Sequence, residues 1–497
     1  LGFITQVITV GNQNTINVTM QESLESLDEI VVVAYGKQSR KTVTGAIATV
    51  DSEEIAALPV TNAESALQGR AAGVTVVNNG PPGSSPQVLI RGLGTFGNND
   101  PLYVIDGVIV GNLSGISPAD IENVSILKDA STTALYGARG SNGVVLVTTK
   151  TGKTGRGQLN FSTYTGAQTV TNRYDVMNTI EYLQFASSIN VFPNRPLSLF
   201  QNDTNWQDEI FQTGLIKDYK LDYSKGTENS TQFFSAEYLK QDGTIINTGF
   251  ERYSFRANSS YKTGKFKFGQ TMSVAISNSK GEQSGGGRTL ITHAIKMAPF
   301  LPVYNPNNPG GFQGPSNAGD GQDAENPVRI QTLPVFGNNN LGIIGSLYGE
   351  YDIIEGLKFR TQVGLDYFNG RNSTFIPSFS DDPSNTHAQN FASYSAGANF
   401  GQALVFTNSL KYIKTFAEKH NVEFLALAEK TENKGSGFGG SARNLVTDEL
   451  QQFGPEAQSI GSGNSKTTRQ GYLAQLNYNY DTKYIFSASV RRDASSR

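Results

Sequence analysis

Long runs of alternating apolar and polar side chains constrain the fold of this chain most. Over residues 251–262, side chains of the two kinds take turns along the sequence. A period of two places them on opposite faces of a β-strand. The apolar face carries Tyr253, Phe255, Ala257 and Tyr261, and the polar face carries Arg252, Ser254, Arg256, Asn258 and Ser260. We therefore expect a large antiparallel sheet, and the same rule predicts about eleven strands over the second part of the chain.

Alternation alone leaves two mainly β architectures open, a soluble sandwich and a membrane barrel. Sandwich strands are mostly short, and their polar face is the solvent face. Here the strands are long, and a short turn at 227–230 contrasts with a connection from 279 to 345. Short turns at one end and long loops at the other are typical of outer-membrane barrels. The sequence therefore favours a transmembrane antiparallel β-barrel.

Composition narrows the classes of function. The formal net charge is −3, so the chain has no excess of positive charge to bind phosphate groups, and we expect no nucleic-acid partner. The chain has no cysteine and three scattered histidines, His293, His387 and His420. Few side chains could therefore serve as metal ligands or as the catalytic groups of a hydrolase. The 28 Phe and 21 Tyr suit the aromatic girdles of a membrane barrel, although a large secreted β protein has a similar composition. We expect no enzyme, cofactor or bound metal.

Residues 62–150 have a different organisation, in which short strands alternate with glycine turns and short helices. Strands are predicted at 74–77, 88–90, 102–105 and 144–149, and Asn62 is predicted to cap a helix that Gly69 ends. Together these elements predict a compact α+β unit. Its ordered motifs are Asn62-Ala-Glu-Ser-Ala-Leu-Gln-Gly-Arg70, Leu89-Ile-Arg-Gly92, Pro101-Leu-Tyr-Val-Ile-Asp-Gly107, Leu127-Lys-Asp-Ala130 and Tyr136-Gly-Ala-Arg-Gly-Ser-Asn-Gly143.

These motifs resemble the plug domain of the SusC/RagA family of TonB-dependent outer-membrane transporters. The resemblance implies an α+β plug inside the lumen of a barrel that has 22 strands in the family, about half of them in this chain. We hypothesise that the other half of the barrel is a further segment of the same protein. The implied parts are residues 1–20 as the end of an N-terminal β-sandwich domain, 21–41 as TonB box and linker, 42–153 as plug, and 154–497 as the N-terminal half of the barrel with long extracellular loops.

The segment before the plug resembles the family's TonB box. Four β-branched residues in succession favour an extended strand, which can add to the sheet edge of a partner protein. An ordinary core strand is the alternative, and Ala34 stands where the family usually has Gly. The predicted TonB-contact residues are Asp28, Glu29, Ile30, Val31, Val32, Val33, Ala34, Tyr35 and Gly36.

Two further sets of plug residues are predicted to carry function. Arg70, Arg91 and Arg139 are candidates for locking the plug to lumen carboxylates such as Asp366 or Glu423, because arginine binds carboxylates in bidentate fashion. The loops 78–86, 94–100 and 111–114 share one end of the plug if its strands alternate in direction. The predicted substrate-binding residues on them are Asn78, Asn79, Phe96, Asn98, Asn99, Asp100 and Asn112.

Two motif matches have weaker functional interpretations. Residues 92–97 fit G-x-G-x-x-G, but a strand rather than a helix is predicted next, so a nucleotide site is not expected. A loop that turns near a ligand accounts better for the glycines. Asp320, Asp323, Asp381 and Asp382 do not keep the spacing of an EF-hand, and turn polarity explains them better than calcium does.

The resemblance implies import of an oligosaccharide or peptide across the outer membrane of a Bacteroidetes-like Gram-negative bacterium. TonB would supply the pull, a SusD-like surface lipoprotein would form the lid, and pairs of transporter and lipoprotein often dimerise in the family. A non-transporting surface receptor or adhesin is the alternative function. Such a protein would not need the segment 28–36.

Overall fold

The structure is a computed structural model. It describes residue 18 and residues 30–33, 36–39, 45–56, 60–78, 80–190, 200–315, 323–382, 387–445, 447, 451–453 and 457–496. The segment 1–20 predicted to end a sandwich domain lies outside the described residues, except for Val18.

The first part of the chain forms short strands and helices around a small sheet. Five strands take the order β3-β8-β9-β6-β7, in which β6 and β9 are parallel and the other neighbours antiparallel. The elements are β1 (Ile30–Val33), β2 (Gly36–Ser39), β3 (Ile47–Asp51), α1 (Ser52–Ala56), β4 (Val74–Val77), β5 (Gln87–Ile90), β6 (Leu102–Ile105), β7 (Val108–Val110), β8 (Ile121–Leu127), α2 (Ala130–Thr133) and β9 (Val144–Thr149), with 3-10 helices at Ser65–Leu67, Pro118–Asp120 and Ala134–Gly140.

Valine and isoleucine side chains from one face of this sheet form the core of the first part, and the other face packs against Leu425, Leu427 and Leu473 of the second part. Val124, Ile126 and Val145 are buried there with Ile55 of α1. The strands predicted at 74–77, 88–90, 102–105 and 144–149 are confirmed as β4, β5, β6 and β9. We call residues 45–153 the plug from here on.

The predicted helix cap at Asn62 is wrong. The amide of Asn62 donates to the carbonyl oxygen of Ser84 at 2.7 Å, and the turn that follows is a 3-10 helix, Ser65–Leu67, with no side-chain cap. Asn62 therefore joins two loops of the plug instead of starting a helix.

The second part of the chain forms one antiparallel sheet of eleven strands, which we call the wall. The strand count predicted by alternation is confirmed. The end strands β10 and β24 do not pair with each other. The strands in order are β10 (Gly155–Gln168), β11 (Gly214–Gly226), β12 (Ser230–Asp242), β13 (Gly249–Thr263), β14 (Phe266–Lys280), β17 (Val335–Ile354), β18 (Leu357–Ile376), β21 (Ser393–Phe416), β22 (His420–Arg443), β23 (Ala457–Tyr480) and β24 (Tyr484–Ser495).

The two ends of the wall differ in the length of their connections, as the sequence predicts. The short turns are residues 227–229, 264–265, 355–356, 417–419 and 481–483. The long connections are residues 169–213, 243–248, 281–334, 377–392 and 444–456. We call these two ends the short-turn end and the long-loop end.

The loops at the long-loop end have a hydrophobic core of their own. Trp206, Leu290, Met297 and Val328 are buried together, and Tyr182 packs against them. Helix α3 (Thr179–Ser188) contributes to this core. The other elements are α4 (Trp206–Ile210), β15 (Ser284–Gly285), β16 (Arg288–Thr289), α5 (Leu290–Lys296), α6 (Pro327–Thr332), β19 (Phe379–Ser380) and β20 (Ala388–Gln389).

The two faces of the wall have opposite chemistry. On β13, Tyr253 and Phe255 are 49% and 43% exposed, whereas Arg252 and Arg256 are 1% and 2% exposed. The arginines are buried because the plug covers that face, so the aromatic face is the outer one. This arrangement is that of a transmembrane β-barrel wall around a plug, with apolar side chains outward and polar side chains in the lumen. No helix in the described part of the chain is long and apolar enough to cross a membrane.

Candidate functional site

The interface between plug and wall contains a series of buried charges. In the first of these contacts, the ammonium nitrogen of Lys220 on β11 lies 2.6 Å from Oδ1 of Asp120 in the plug. The hydroxyl of Ser235 on β12 donates to Oδ2 of the same carboxylate at 2.9 Å. Both charged side chains are at most 5% exposed. Because the pair is screened from water, removing one partner would leave the other as an uncompensated buried charge.

A second pair joins β13 to the turn between β6 and β7. Asp106 and Gly107 both have positive φ, 48° and 84°, as the central residues of this tight turn. The Asp106 carboxylate accepts from the backbone N–H and hydroxyl of Thr149 at 3.1 and 2.6 Å, and from Nη2 of Arg256 at 2.7 Å. The amide of Gln362 on β18 donates to the Asp106 carbonyl oxygen at 3.1 Å. The turn is therefore bound to two separate strands of the wall.

A third group of contacts lies around Arg252. Its guanidinium donates to the carbonyl oxygen of Thr61 in the plug at 3.1 Å and to Oε2 of Glu237 on β12 at 2.9 Å. The other oxygen of Glu237 accepts from the hydroxyl of plug residue Ser117. Nearby, Oε1 of the buried Glu64 accepts from the Leu113 N–H at 2.7 Å. Burial raises the pKa of Glu64, while the Leu113 N–H and the Arg252 charge partly offset that rise.

The fourth contact lies on the opposite side of the plug. Nη2 of Arg139 lies 2.5 Å from Oε1 of Glu429 on β22, and the Arg491 guanidinium of β24 lies 3.5 Å from the same oxygen. Arg491 also donates to the carbonyl oxygen of Leu135 at 2.6 Å. The plug is thus held at both margins, by β11–β13 and by β22–β24.

Of the three predicted lock arginines, the structure brings only Arg139 to a carboxylate of the wall. Arg91 pairs with Asp129 inside the plug, and Arg70 forms no ion pair with any described residue. The suggested partners also differ, because Glu423 pairs with Lys411 of the wall at 2.7 Å. Asp366 meets the plug through the backbone N–H of Gly111 at 3.4 Å.

The predicted arrangement of plug cations against wall carboxylates holds for Arg139 and Glu429. On the β11–β13 side the charges are reversed, because Lys220 and Arg256 belong to the wall and their partners Asp120 and Asp106 belong to the plug. The alternation already placed Arg252 and Arg256 on the lumen face, and an Asp-Gly pair between two strands is a signal for a tight turn that exposes the aspartate. Combining these two signals would have indicated Asp106 as a plug residue that pairs with an arginine of the wall. The missed plug residues are Glu64, Asp106, Ser117, Asp120 and Thr149, and the missed wall residues are Lys220, Ser235, Glu237, Arg252, Arg256, Gln362, Glu429 and Arg491.

The predicted TonB box is described only in part. Asp28, Glu29, Ala34 and Tyr35 lie outside the described residues, and the backbone of Ile30–Val33 forms β1. This strand pairs antiparallel with β2, with Ile30 opposite Ser39 and Val33 opposite Gly36. The segment that was expected to be a free strand therefore has one edge paired in a two-stranded sheet.

The predicted substrate residues lie in three different settings. Asn78 accepts from the Ser65 hydroxyl at 3.2 Å and donates to Oε1 of Gln68 at 3.1 Å, so it fastens its own loop. Asn79 lies outside the described residues. Asn112 is exposed, and its oxygen accepts from the N–H of Ser114 at 3.0 Å.

The loop 94–100 presents an aromatic ring to its surroundings. Phe96 is fully exposed, and Asn98 and Asp100 are exposed beside it. Asn99 is buried, and its amide bonds to four backbone groups: the N–H groups of 94 and 95 and the carbonyl oxygens of 95 and 97. The Asn99 amide therefore holds the loop together, and the residues of this loop available to contact substrate are Phe96, Asn98 and Asp100.

The glycine loop and the loop aspartates have neither a nucleotide site nor a calcium site among the described residues. No helix begins at the glycine loop 92–97, which leads to β6. Asp323 pairs with Arg288 and Lys296, Asp381 pairs with Arg329, and Asp320 lies outside the described residues. Within the described ranges, no group of three or more acidic or histidine side chains is arranged to hold a metal ion.

Comparison with known proteins identifies the same arrangement. The family model of the TonB-dependent Receptor Plug Domain matches residues 39–144. TonB-dependent receptor P3 of Formosa agariphila is 35% identical over 524 residues, which cover 100% of this chain and 49% of that protein. TonB-dependent receptor SusC of Bacteroides thetaiotaomicron is 28% identical, over 100% of this chain and 51% of that protein. These named relatives are receptors and not enzymes.

Solved structures show the same fold. The RagAB peptide importer in its open-open state superimposes with a TM-score of 0.83 at 25% identity, covering 94% of this chain and 56% of that chain. This chain thus spans about half the length of the relatives it matches. With its plug, its eleven-stranded wall and these matches, the chain belongs to the SusC/RagA-like family of TonB-dependent receptors.

Proposed function

We propose that this protein imports a bulky nutrient, an oligosaccharide or a peptide, across the outer membrane of a Gram-negative bacterium. The observation that carries the proposal is the polar attachment of the plug to the wall. A permanent partition would be most stable with an apolar, closely packed interface. Here one apolar cluster, around Leu425, Leu427 and Leu473 of the wall, lies beside many hydrogen bonds and ion pairs. Each of these polar contacts contributes about 0.5–3 kcal/mol, and they can break one after another under a pull.

The pull is proposed to reach the plug through the segment 28–36. Its β1 strand has one edge paired with β2, so the other edge can accept a strand of TonB by main-chain hydrogen bonding. We also propose the division into sandwich end (1–20), TonB box and linker (21–41), plug (42–153) and barrel half (154–497). In this arrangement the segment that receives the force directly precedes the plug.

Substrate is proposed to approach from the long-loop end, under a SusD-like lipoprotein lid. The RagAB importer is a two-component assembly and supports a lid of this kind. The exposed Phe96, Asn98, Asp100 and Asn112 are the proposed contacts on the plug. An exposed aromatic ring offers a stacking face, and side-chain amides bond to hydroxyl or peptide groups.

The alternative function is a surface receptor or adhesin that binds without transporting. It shares the fold and the loops, and it differs in having no use for an inward pull. The two functions therefore differ in whether the extended backbone of 30–33 is required.

The test compares Val32→Pro with Val32→Ala in the full-length receptor in its native cells. Proline removes a backbone donor and disrupts the strand, whereas alanine keeps the backbone. The probes are a fluorescently labelled oligosaccharide mixture and, separately, a labelled peptide mixture. We expect V32P to abolish uptake of the transported probe while surface binding persists, and V32A to resemble the unmodified receptor. Full uptake by V32P would reject a pull through the segment 28–36, whereas surface binding of both probes without uptake by the unmodified receptor would reject import and favour the surface receptor.

A further inference from the structure

A cavity of about 470 Å³ lies between plug and wall near the long-loop end. Its plug side is formed by residues 60–62, 65, 68, 78 and 80–84, and its wall side by Gln168, Ile216 and Gln241 at the ends of β10, β11 and β12. A volume of this order is typical of small-ligand sites. None of the contacts described above between plug and wall fills it.

The plug side of the cavity is fixed by contacts below and beside it. The Arg252 guanidinium holds the Thr61 carbonyl oxygen, and the Asn62 amide holds the Ser84 carbonyl oxygen. Gly83 has a φ of 75° and lies against the ring of Phe250, so close that a β-carbon there would overlap the ring. The cavity is therefore a defined feature of the seated plug.

The lining of the cavity is polar but carries no charge. Nε2 of Gln241 donates to Oε1 of Gln168 at 3.0 Å, while Oε1 of Gln241 is buried and accepts no hydrogen bond within the described part of the chain. Gln68 and Asn78 contribute further amides, and Pro81 and Ile216 contribute apolar surface. The combination of amide donors, amide acceptors and small apolar patches suits a ligand with hydroxyl groups on an apolar ring.

We propose that this cavity binds an uncharged saccharide unit, an inference that rests on the proposed import function and names its substrate class. A free peptide brings charged ends, and transferring a charge into a site without a counter-charge is costly. A saccharide has no charge to desolvate, and each hydroxyl both donates and accepts. Hydroxyl groups in the cavity would meet the side-chain amides of Gln68, Asn78 and Gln241, which line it.

The site is shared between two parts that must separate during import. A ligand that binds only when the plug is seated stabilises the seated plug by mass action. Conversely, displacement of the plug removes the side chains of Asn62, Gln68 and Asn78 from the site, so the bound saccharide is released as the plug moves. The same contacts that hold the sugar therefore couple its release to the pull.

The test compares Gln241→Leu with Gln232→Leu in the purified full-length receptor. Both substitutions remove an amide from β12, but Gln232 is exposed on the outer face and Gln241 faces the cavity. The probes are the neutral disaccharides maltose, cellobiose, laminaribiose, xylobiose and mannobiose, together with triglycine. We expect at least one disaccharide to bind the unmodified receptor and Q232L equally, and about tenfold more weakly to Q241L, with no binding of triglycine.

Hydrogen exchange provides the second measurement. The bound disaccharide should slow exchange over residues 60–68 in Q232L and not in Q241L, while equal exchange of Ile121–Leu127 shows that both variants are folded. Binding of no disaccharide, equal binding by Q241L, or competition by triglycine would overturn the saccharide site. If one of these results is found while cells still take up the labelled peptide, and V32P still abolishes that uptake, the saccharide site is rejected and the import function stands. The failure of the site and the failure of the import function are therefore distinguishable.

Discussion

Asp120 illustrates how single residues attach the plug to the wall. Its carboxylate receives Lys220 and Ser235 from two wall strands, and its backbone carbonyl oxygen accepts from the N–H of Lys150 at 2.9 Å. One residue thus connects a 3-10 turn, the last plug strand and the wall. The sequence around it, Ser-Pro-Ala-Asp, indicates a turn and gives no sign of these partners, because they come from chain positions about a hundred residues away.

We expect Asp120→Ala to destabilise the seated plug by about 3–5 kcal/mol, because Lys220 is left buried without a counter-charge. Asp120→Ala combined with Lys220→Met should recover much of that loss. The measurement is the free energy of hydrogen exchange at Ile121–Leu127 in the full-length receptor.

The matched control is Arg91→Ala, which breaks the more exposed pair with Asp129 inside the plug and leaves the bond from the Ala46 N–H to Asp129 in place. Pairs with that exposure are worth about 1 kcal/mol or less. A D120A variant no less stable than R91A would show that the buried pair does not hold the plug.

The positions of single residues were predictable where the signal was local, and they were not predictable where they depended on how distant parts of the chain pack together. The alternation correctly placed Arg252 and Arg256 on the inner face. It could not show that Arg91 is satisfied by Asp129 within the plug, because that pairing depends on how β5 and α2 meet in space.

At the scale of elements, the wall strands were predictable and the loop core was not. Strands 253–276 follow a period of two that any window of the sequence reveals. The loop core brings Trp206, Leu290 and Val328 together from connections separated by whole strands, and no local pattern encodes that meeting.

The loop core contains a carboxylate whose ionisation should control local stability. Asp381 is fully buried in the loop between β18 and β21, with Nε of Arg329 at 2.7 Å. Burial raises its pKa to about 6, and Arg329 offsets part of the rise. Glu325 and His387 are the other titratable groups that act on it.

A raised pKa means that the fold favours the protonated acid. The stability that Asp381 contributes is therefore complete below its ordinary pKa of 3.8 and is lost as the pH rises through about 6. We expect the hydrogen-exchange protection of Pro327–Thr332, corrected for intrinsic rates, to fall by up to about a hundredfold between pH 4 and pH 7.

Asp381→Asn keeps the shape of the side chain and removes its titration. This variant should lose most of the change in protection over that pH range, while Asp382→Asn should keep it. An unchanged pH profile in D381N would assign the effect to another group.

At the scale of the whole molecule, the order of the parts was predictable because each part has its own pattern. Mixed strands and glycine turns come first, and long alternating strands follow. The mutual position of plug and wall was not predictable, since it is fixed by contacts such as Arg139 to Glu429 that join distant parts of the chain. The saccharide cavity was not predictable for the same reason, because it lies between the plug and the wall and neither part forms it alone.

The central claim is that the plug must move relative to this wall for import to occur. Val108 of the plug and Gly364 of the wall offer a direct test, because a β-carbon placed on Gly364 would lie 3.6 Å from that of Val108. This distance fits a disulfide. The chain has no cysteine of its own, so Val108→Cys with Gly364→Cys introduces the only pair within it.

The control is a crosslink within the wall, Met272→Cys with Gly345→Cys, whose β-carbons would lie 4.0 Å apart. The measurement is uptake of the transported probe by cells, before and after reduction of the disulfide. We predict that the oxidised V108C/G364C receptor does not transport, that reductant restores transport, and that the wall crosslink has no effect in either state. Full transport with the plug quantitatively crosslinked to the wall would contradict the account.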